Sequence, residues 1–410
     1  MKRVVITGIG VVSPIGTGKD VFWTALLAGT SGIRPVASFD TSRFPVHVGA
    51  EVSDFDAKDH LERQKPESMG RASQMAVAAA RMALADGQVR LDGVTRSRVG
   101  VAMGTTSGEP IFVEMYNDAK KAGGEAGGKS EAAADVFAKY PCHVIPAYVA
   151  AEFGLRGPAI MIPNACAAGN YAVGYAFDQV RSGRVDMMLA GGADAFSRIP
   201  YMGFARLGAI APERCQPFDK NRKGMIPGEG AGVMVIEPLD AALARGAKIY
   251  AEVLGYGTSC DAHHMTAAHP QGEGGIRAMA AALAQSGLTT EDIDYISAHG
   301  TGTPTNDRIE SHAVRTLFGE RAPLVPMSSI KSMLGHTMGA ASAIEALTCA
   351  LALDTGWIPP TINHEEPDPE CGLDIVPNHA RKTDPRVALN NAYAFGGNNA
   401  SLCLARFEAA

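Results

Sequence analysis

An internal repeat is the strongest constraint that the sequence places on its fold. Residues 71–105 carry an Ala-rich helical segment, a polar loop, an apolar strand and a threonine, and residues 275–301 carry the same order. Each helical segment reaches a glycine, Gly87 or Gly287, where we expect a left-handed helix end. Both strands are apolar throughout, as strands are when helices cover both faces of a sheet. The repeat therefore predicts an α/β protein.

The repeat extends to two further segments. Residues 161–169 (MIPNACAAG) and residues 325–341 (VPMSSIKSMLGHTMGAA) each consist of a strand-like run, a turn and a helix of small residues. Two similar α/β halves are predicted, each with polar residues at the carboxyl ends of its strands. Open α/β sheets build their sites at those ends, so we expect functional residues there. Coincidental similarity between two Ala- and Gly-rich stretches is the alternative.

Composition narrows the classes of protein that fit. The chain has 410 residues, of which 46% are hydrophobic and 20% are charged, and its net charge is −6. This is enough apolar material for a large core, and it is typical of neither disordered nor nucleic-acid-binding chains. The sequence contains no low-complexity linker, and the Gly-rich residues 123–129 are predicted to form a surface loop.

Cysteine usage and hydropathy predict a cytoplasmic protein. The 7 cysteines are odd in number and form no CxxC pair, which argues against a disulfide framework or a structural zinc site. The N-terminal segment lacks the long apolar core of a signal peptide. Residues 157–177 carry no charge but hold two prolines and two asparagines, so we reject them as a membrane span.

Cys166 is a candidate nucleophile. It lies in PNACAAGNYA, where a strand-like run turns into a predicted helix. Unpaired N–H groups and the positive end of the helix dipole favour the thiolate at such a turn, and the same N–H groups can hold an oxyanion. The alternative is a small buried cysteine that fills a gap in the core. This segment alone does not separate the two.

His299 in AHGTGTPTND and His336 in KSMLGHTMGAA are the next candidates. Glycines flank both histidines, which lets a substrate approach the backbone. Zinc ligation is disfavoured because no HExxH-type spacing is present. The adjacent His263 and His264 would point to opposite faces of a strand, so they do not suggest a metal site either.

Lys331 and Glu345 accompany His336 in the sequence. Lys331 lies five residues before His336, and Glu345 lies on the predicted helix that follows. A buried lysine needs a partner, and the Glu345 carboxylate can supply it. A solvated surface pair is the alternative, which the flanking apolar and glycine residues make the weaker of the two.

Together these motifs resemble those of the elongating β-ketoacyl-acyl-carrier-protein synthases. The resemblance rests on NACAAG, HGTGTPTND and KSMLGH in that order, and extends over almost the whole chain through VVITGIGVVSPIG, GLRGP, MMLAGGAD, PFDKNRKGMIPGEGAG, SCDAHHMT, PPTIN and AFGGNNASL. It implies a thiolase fold with two βαβαβ-type halves in a layered α-β-α-β-α core. Residues 1–250 would carry the nucleophile and residues 251–410 the His/His/Lys site.

The resemblance also implies a decarboxylative Claisen condensation and its partners. Cys166 would accept an acyl group from the phosphopantetheine arm of an acyl carrier protein. His299 and His336 would bind the malonyl thioester carbonyl and stabilise the enolate, with support from Lys331 and its partner Glu345. No metal or other cofactor would be required. We expect a homodimer, or a heterodimer with a chain-length-factor-like subunit, and neither nucleic acid nor membrane as a partner.

Further roles follow from the same resemblance. They are the oxyanion hole and acyl gate (the N–H groups of Cys166 and Phe395, with Gly396 and Gly397), pantetheine contacts (Thr266, Thr301 and Thr303), supporting carboxylates (Asp307 and Glu310), the acyl pocket (Ser107 and Glu109) and carrier docking (Arg63, Lys65 and Arg206). A second basic cluster could attract an acidic carrier protein; it consists of Lys220, Arg222 and Lys223.

Departures from the common pattern bear on the acyl chain. Ser107, in SGEP, is smaller and more polar than the aliphatic residue expected in the pocket. Asn164 and Ala168 flank the nucleophile, and Ala394 and Asn398 stand in the gating loop, where other residues are usual. Ala has less backbone freedom than Gly, so we expect gate motion to differ. The differences favour a chain that is longer, unsaturated or aryl-bearing, as in a specialised polyketide or polyene pathway.

Three other functions compete with this interpretation. A thiolase uses a second Cys and one His in its second half, whereas this chain has two His there, and Cys349 and Cys403 lie in none of the right motifs. A non-catalytic chain-length factor would lack the nucleophile, but an active subunit that needs such a partner stays an alternative. An NAD-dependent oxidoreductase rests on residues 8–16, where GxGxxS and Pro14 depart from a dinucleotide-binding loop.

Overall fold

The computed structural model describes residues 1–121 and 136–408. The surface loop predicted at residues 123–129 lies outside the described residues. Within them, every helix is too short or too polar to span a lipid bilayer. The helices, in chain order, are α1 (Lys19–Leu27), α2 (Arg71–Asp86), α3 (Pro110–Lys121), α4 (Val144–Phe153), α5 (Ala168–Arg181), α6 (Arg198–Arg206), α7 (Leu239–Ala244), α8 (Glu273–Ser286), α9 (Pro304–Phe318), α10 (Lys331–Leu334) and α11 (Ala341–Thr355).

Most of the strands join one mixed sheet. The strands, in chain order, are β1 (Val4–Ser13), β2 (Gly16–Thr17), β3 (Arg34–Pro35), β4 (Val48–Gly49), β5 (Val99–Gly104), β6 (Ala159–Ile162), β7 (Met187–Asp194), β8 (Gly230–Pro238), β9 (Ala251–Cys260), β10 (Tyr295–Ser297), β11 (Met327–Ser328), β12 (Trp357–Ile358), β13 (Arg381–Lys382), β14 (Val387–Tyr393) and β15 (Asn398–Ala405). The small pairs β3-β4 and β12-β13 stand apart from this sheet.

The strand order of the main sheet repeats itself about its centre. The order is β11-β10-β14-β15-β9-β1-β8-β7-β5-β6, with β2 beside β1. Outward from β1, two antiparallel pairings are followed by two parallel ones. The same sequence of pairings runs outward from β9 in the other direction. The two α/β halves predicted from the repeat are therefore confirmed, while their division at residue 250 stays a prediction.

Helices form three layers around the strands of the two halves. Helices α2 and α4 pack on the strands of the first half, and α8 packs on β9, β14 and β15 of the second half. Helices α5 and α11 pack against each other, and each contacts strands of both halves. The order of layers is α-β-α-β-α, as the resemblance implied.

The central helix α11 is made of residues that can be buried on every side. All of its residues from Ala341 to Leu353 are buried, as expected of a helix that is apolar nearly all round. Small residues allow α5 to lie close to it: a Cβ on Gly169 would lie 2.4 Å from the backbone nitrogen of Ala343. This contact holds the two halves at a short distance from each other, beside Cys166.

The two repeated helices end differently. Gly287 has φ +70°, so the predicted left-handed end of α8 is confirmed. The same prediction for Gly87 is wrong, because its φ is −74° and its backbone is right-handed. Space is tight there: a Cβ on Gly87 would lie 3.1 Å from the carbonyl oxygen of Thr7, and one on Gly8 of β1, which packs against Gly87, would lie 2.9 Å from the nitrogen of Gly87.

The close approach of β1 to α2 can be tested with two matched Gly-to-Ala variants. In β1, a Cβ on Gly10 would lie 1.9 Å from the carbonyl oxygen of Ala79, whereas a Cβ on Gly203 of α6 meets no atom within 4 Å. We expect Gly10→Ala to lower the free energy of unfolding by roughly 1–3 kcal/mol or more. Gly203→Ala should raise it by roughly 0.5–1 kcal/mol. Denaturant-induced unfolding measures both, and a Gly10→Ala variant as stable as wild type would contradict the packing described.

Candidate active site

Cys166 lies where the first half passes from strand β6 into helix α5. After β6 the chain makes a short 3-10 turn over Ala165–Ala167, and α5 begins at Ala168. Ala165 has φ +47°, in the left-handed region that residues other than glycine rarely occupy. Backbone strain of this kind is concentrated at functional sites. The structure thus places the buried thiol of Cys166 at the strand-to-helix turn that the sequence predicts.

His336 and His299 come from the second half and meet Cys166. His336 Nε2 lies 3.1 Å from Cys166 Sγ. The rings of His299 and His336 stand edge to face, with their centroids 5.6 Å apart. Both rings are buried. Residues separated by more than a hundred positions in sequence therefore share one site at the seam between the halves.

Hydrogen bonds at Nδ1 fix which nitrogen of each ring carries the proton. The Met338 N–H donates to His336 Nδ1 over 3.2 Å, so the proton of a neutral His336 ring resides on Nε2 and points at Cys166. The Lys331 ammonium, which can only donate, faces His299 Nδ1 at 3.5 Å. His299 consequently also presents an Nε2–H. Both rings are arranged as hydrogen-bond donors on the cavity side.

Burial keeps the two histidines neutral. It lowers the pKa of His299 and of His336 well below the usual value, and the nearby charge of Lys331 lowers both further. Neutral imidazoles with Nε2–H groups donate hydrogen bonds without adding a full positive charge. Donors of this kind, fixed in a dry site, stabilise negative charge that develops on an oxygen.

Among the described residues, one group of side chains comes close enough to hold a metal ion. Its ligand atoms, from Cys166, His299 and His336, all lie within 4.8 Å of one another. One thiol and two imidazoles suit zinc as donor types. However, a ligating histidine offers an unprotonated nitrogen to the metal and donates through the other one. Both rings here are held in the opposite tautomer, so the arrangement favours hydrogen-bond donation over metal binding.

Lys331 and Glu345 form a buried ion pair behind the histidines. The Lys331 Nζ contacts the Glu345 carboxylate, and both residues are only 1% exposed. Burial raises the pKa of Glu345 to about 7, and the Lys331 charge acts in the opposite direction. The alternative of a solvated surface pair is therefore wrong. The two side chains join α10 to α11 and hold the ammonium beside His299.

Cys166 is a neutral thiol in this site. Burial raises its pKa to about 12, although the Lys331 charge lowers it. The expectation that the helix end favours a thiolate is wrong, because loss of hydration outweighs the favourable helix end and the lysine. Any reaction of this thiol as a nucleophile therefore requires that it lose its proton.

Two buried carboxylates of α9 hold the loop that carries His299. Glu310 accepts hydrogen bonds from the N–H groups of His299 (2.8 Å) and Gly300 (2.7 Å). Asp307 accepts from the N–H of Gly302 (3.2 Å). Burial raises the pKa of Glu310 to about 8 and also raises that of Asp307. These contacts suit the supporting role that the resemblance implied for both carboxylates, and that role stays a prediction.

A cavity of about 330 Å³ opens onto Cys166, His299 and His336. The three threonines predicted to contact pantetheine and the predicted gate residue all line it: Thr266, Thr301, Thr303 and Phe395.

The predicted gate stands at the mouth of this cavity. The Phe395 ring is 41% exposed and lies 5.8 Å, between centroids, from the ring of Phe204. Gly396 and Gly397 follow with φ +83° and +73°, which only glycine adopts readily. The Gly396 N–H donates to the Met265 carbonyl over 2.7 Å, which ties the loop to the neighbouring one. The assignment of the Cys166 and Phe395 N–H groups to an oxyanion hole stays a prediction.

Ser107 and Glu109 do not line the cavity formed by the described residues. Ser107 is half-buried, and its N–H donates to Asp194. The fully buried Glu109 carboxylate accepts from the N–H groups of Ala72 (3.3 Å) and Ser73 (2.7 Å) at the start of α2. Burial raises its pKa to about 7. Glu109 therefore anchors the segment to α2, and a role of either residue in an acyl pocket stays a prediction.

The basic residues suggested for carrier docking differ in accessibility. Arg206 ends α6 beside Leu207, which lines the cavity. Arg222 is buried and pairs with Asp368, so its inclusion in a second docking cluster is wrong. The three residues predicted for docking are all exposed: Arg63, Lys65 and Arg206.

Sequence reasoning missed two aromatic residues of the cavity. Tyr393 lies edge to face with His299, at 5.8 Å between ring centroids, and Phe204 lies against Phe395. Tyr393 ends strand β14 directly before AFGG, so the rule that sites form at strand ends could have identified it. Phe204 carries no such signal, because only tertiary packing brings α6 to the gating loop.

Comparison with known proteins agrees with this fold and site. The family described as "Beta-ketoacyl synthase, N-terminal domain" matches residues 1–242, and "Beta-ketoacyl synthase, C-terminal domain" matches residues 250–365. The chain therefore belongs to the β-ketoacyl synthase family.

Individual relatives extend the match over the full length. The "3-oxoacyl-[acyl-carrier-protein] synthase 2" of Staphylococcus aureus (strain N315) is 40% identical over 414 residues, covering 100% of this chain and 99% of the relative. The structure titled "The ishigamide ketosynthase/chain length factor" superposes with TM-score 0.95 at 46% identity, covering 99% of this chain and 100% of that one. A second structure is titled as a type II PKS acyl-carrier protein in complex with its ketosynthase. The matching chain superposes with TM-score 0.90 at 31% identity, covering 99% of this chain and 100% of that one.

These relatives confirm the predicted fold class and enzyme class. Their superposition confirms the thiolase-type α/β architecture. Their names confirm an acyltransferase of the condensing type, and they favour it over a thiolase or an NAD-dependent oxidoreductase.

The protonation state of Cys166 can be tested by alkylation. Because burial raises the thiol pKa to about 12, the rate of reaction with iodoacetamide should keep rising through about pH 9 without a plateau. Mass spectrometry of the Cys166 peptide measures this rate, and the exposed Cys260 provides an internal control for reagent access. A plateau below about pH 8 would instead indicate a preformed thiolate.

Proposed function

We propose that this chain catalyses decarboxylative Claisen condensation of an acyl group, held on Cys166, with malonyl-acyl carrier protein. The product is a 3-oxoacyl-acyl carrier protein. One observation carries the proposal: a buried thiol and two neutral imidazole N–H donors meet in one cavity. The thiol suits acyl transfer, and the paired donors suit stabilisation of an enolate oxygen.

The first half-reaction loads the enzyme. The Cys166 sulfur attacks the carbonyl carbon of an acyl thioester, and the carrier thiol leaves with the proton that Cys166 loses. An N–H donated by His336 to the sulfur stabilises its developing negative charge, since their atoms lie 3.1 Å apart. The helix end of α5 acts in the same direction. The acyl group is then attached to Cys166 as a thioester.

The second half-reaction forms the carbon–carbon bond. His299 and His336 donate hydrogen bonds to the thioester carbonyl of malonyl-carrier, which loses CO₂ and becomes an enolate. The enolate carbon attacks the acyl-Cys166 carbonyl, the new carbon–carbon bond forms as the carbon–sulfur bond breaks, and the Cys166 sulfur leaves and takes a proton from solvent water. Lys331 keeps the histidines neutral and orients His299 through Nδ1. Loss of CO₂ drives the reaction, so it needs no metal or redox cofactor.

An acidic acyl carrier protein is the proposed partner. The chain is itself net negative, at −6, so docking depends on local basic groups at the cavity mouth. Arg206 is exposed beside the mouth residue Leu207, which supports a docking role. Free cysteines throughout the chain support our further proposal that the reaction takes place in the cytoplasm.

A second subunit is also proposed. Strand β6 ends the described sheet, so its outer edge has no neighbouring strand there, and Ala159 is exposed. The unpaired backbone N–H and C=O groups of such an edge can pair with a strand of another chain. A second copy would give a homodimer, and a chain-length-factor-like subunit would give a heterodimer. The ketosynthase/chain length factor title of a structural relative supports the second form.

Separate assays of the two half-reactions test the proposed chemistry. Cys166→Ala should retain no acyl group after incubation with acyl-carrier, as read by intact-protein mass. His299→Ala and His336→Ala should still become acylated, although His336→Ala should do so more slowly because the sulfur loses its N–H donor. Both variants should lose about 10²–10³-fold in decarboxylation of malonyl-carrier. The matched control is His379→Ala, an exposed histidine outside the cavity. Acyl mass on the Cys166→Ala variant, or full decarboxylation by both histidine variants, would refute the proposal.

The acyl chain is the less determined part of the substrate. Fatty acid elongation is supported by the name of the Staphylococcus aureus relative at 40% identity. A specialised polyketide or polyene pathway is supported by 46% identity to the ishigamide ketosynthase structure and by the departures at Ser107, Ala394 and Asn398. We propose the second pathway, with a longer, unsaturated or aryl-bearing acyl group.

A panel of acyl-carrier thioesters distinguishes the two pathways. We expect Cys166 to be acylated faster by unsaturated or long chains than by saturated medium chains, because the substituted loop residues alter the pocket and the gate. Intact-protein mass follows the acylation, with the chain alone and with candidate partner subunits. A clear preference for saturated medium chains would contradict the proposed specialised substrate but would not contradict the proposed condensation reaction. Activity only with a partner would identify the heterodimer.

A further inference from the structure

A fully buried carboxylate lies at the end of strand β7, close to the site but without contact to the cavity. Asp194 is 1% exposed. Its Oδ1 accepts hydrogen bonds from the Thr105 hydroxyl (2.8 Å) and the Ser107 N–H (3.0 Å). Its Oδ2 accepts from the N–H groups of Thr106 (2.7 Å) and Gly339 (2.6 Å). These four donors offset the cost of burying the charge.

The four donors belong to different halves of the molecule. Thr105, Thr106 and Ser107 follow strand β5 of the first half, whereas Gly339 lies just after His336 of the second half. The two backbones are in direct contact: a Cβ on Gly339 would lie 2.3 Å from the carbonyl carbon of Thr105. Asp194 therefore fastens the segment after β5 to the segment after His336.

The second of these segments controls His336. Residues Met338–Ala340 form a 3-10 turn, and the Met338 N–H is the donor that fixes the His336 tautomer. Met338 has φ +53°, a strained conformation that persists only when its surroundings enforce it. The hydrogen bond from the next residue, Gly339, to Asp194 is such a constraint.

We propose that Asp194 is a positioning residue for the condensation: it holds the 338–340 turn in the conformation that aims His336 Nε2–H at the reacting carbonyl, and it fixes the Thr105–Ser107 segment to the same point. This inference rests on the proposed function. Asp194 touches no reacting atom, so it acts through Met338 and Gly339. A displacement of about 1 Å in such a turn is enough to cost a large factor in rate.

Asp194→Asn is the central test. The amide is nearly isosteric, but its NH₂ cannot accept the N–H bonds that one carboxylate oxygen accepted, so the turn loses its anchor. For malonyl-carrier decarboxylation, kcat is expected to fall about 10- to 100-fold while KM changes little. Asp194→Glu keeps the charge and should recover part of the loss.

A second readout separates positioning from general damage. Asp194 bears a negative charge that raises the pKa of Cys166. At about pH 8 Asp194 is ionised, because burial raises its own pKa only to about 6. Cys166 of the Asp194→Asn variant should therefore be alkylated at least as fast as in wild type, while the variant decarboxylates malonyl-carrier more slowly. A misfolded site would instead expose Cys166 and remove the burial that raises its pKa, so its alkylation would approach the rate of the exposed Cys260.

Asp219→Asn is the matched control. Asp219 is also a fully buried aspartate that accepts backbone N–H bonds, here from Asn221, Glu365 and Glu366. It contacts neither the 338–340 turn nor the Thr105–Ser107 segment in the bonds described. We expect this variant to lose stability because backbone N–H groups lose their acceptor, as in Asp194→Asn. It should keep the wild-type kcat for decarboxylation when assayed below its unfolding temperature.

Three outcomes would overturn the proposal. They are a wild-type kcat in Asp194→Asn, an equal loss of kcat in Asp219→Asn, and a loss of kcat in Asp194→Asn that is accompanied by alkylation of Cys166 at the rate of the exposed Cys260. If Asp194→Asn does not fold, Thr105→Val removes one donor to Asp194 and should lower kcat in the same direction by a smaller factor; no change would again overturn it. Absence of decarboxylation in wild type itself would refute the proposed function instead.

Discussion

The close contact of two central helices is the constraint on which the rest of the structure depends. Helices α5 and α11 come from different halves, and the absence of a side chain at Gly169 lets its backbone approach that of Ala343. At this distance the start of α5, with Cys166, meets the turn that carries His336. Buried polar side chains complete the seam, for example the Asn170–Asn390 hydrogen bond of 2.8 Å. A larger residue at the seam would separate the thiol from its donors.

Burial sets the electrostatics of the site. The same loss of hydration raises the pKa of Cys166 and lowers the pKa of both histidines, so the resting site contains a neutral thiol and neutral rings. One cation, Lys331, is retained in this dry region with the Glu345 carboxylate as its partner. Removing one member of such a pair leaves an uncompensated buried charge, which is why both must be considered part of the site.

Much of the fold and the centre of the site could be predicted from sequence because both depend on local pattern. The repeated helix–strand order predicted two halves, and polar residues at strand ends predicted Cys166, His299 and His336. Other features depend on distant contacts. Strand β1 passes close to Gly87, the buried Arg222 pairs with Asp368, and Glu109 anchors the start of α2. No window of sequence contains both partners of these contacts.

The sequence by itself determined the chemical groups of this protein, their order and their position at the ends of strands, because periodicity and motif are properties of the local chain. Only the tertiary structure decided the state in which those groups operate. The Cys166 thiol is neutral because the folded protein removes it from water. The histidine tautomers are set by Met338 and Lys331, and the conformation of the Met338 turn by Asp194 on a strand of the other half. Solvation and hydrogen-bond geometry exist only once the two halves are packed together.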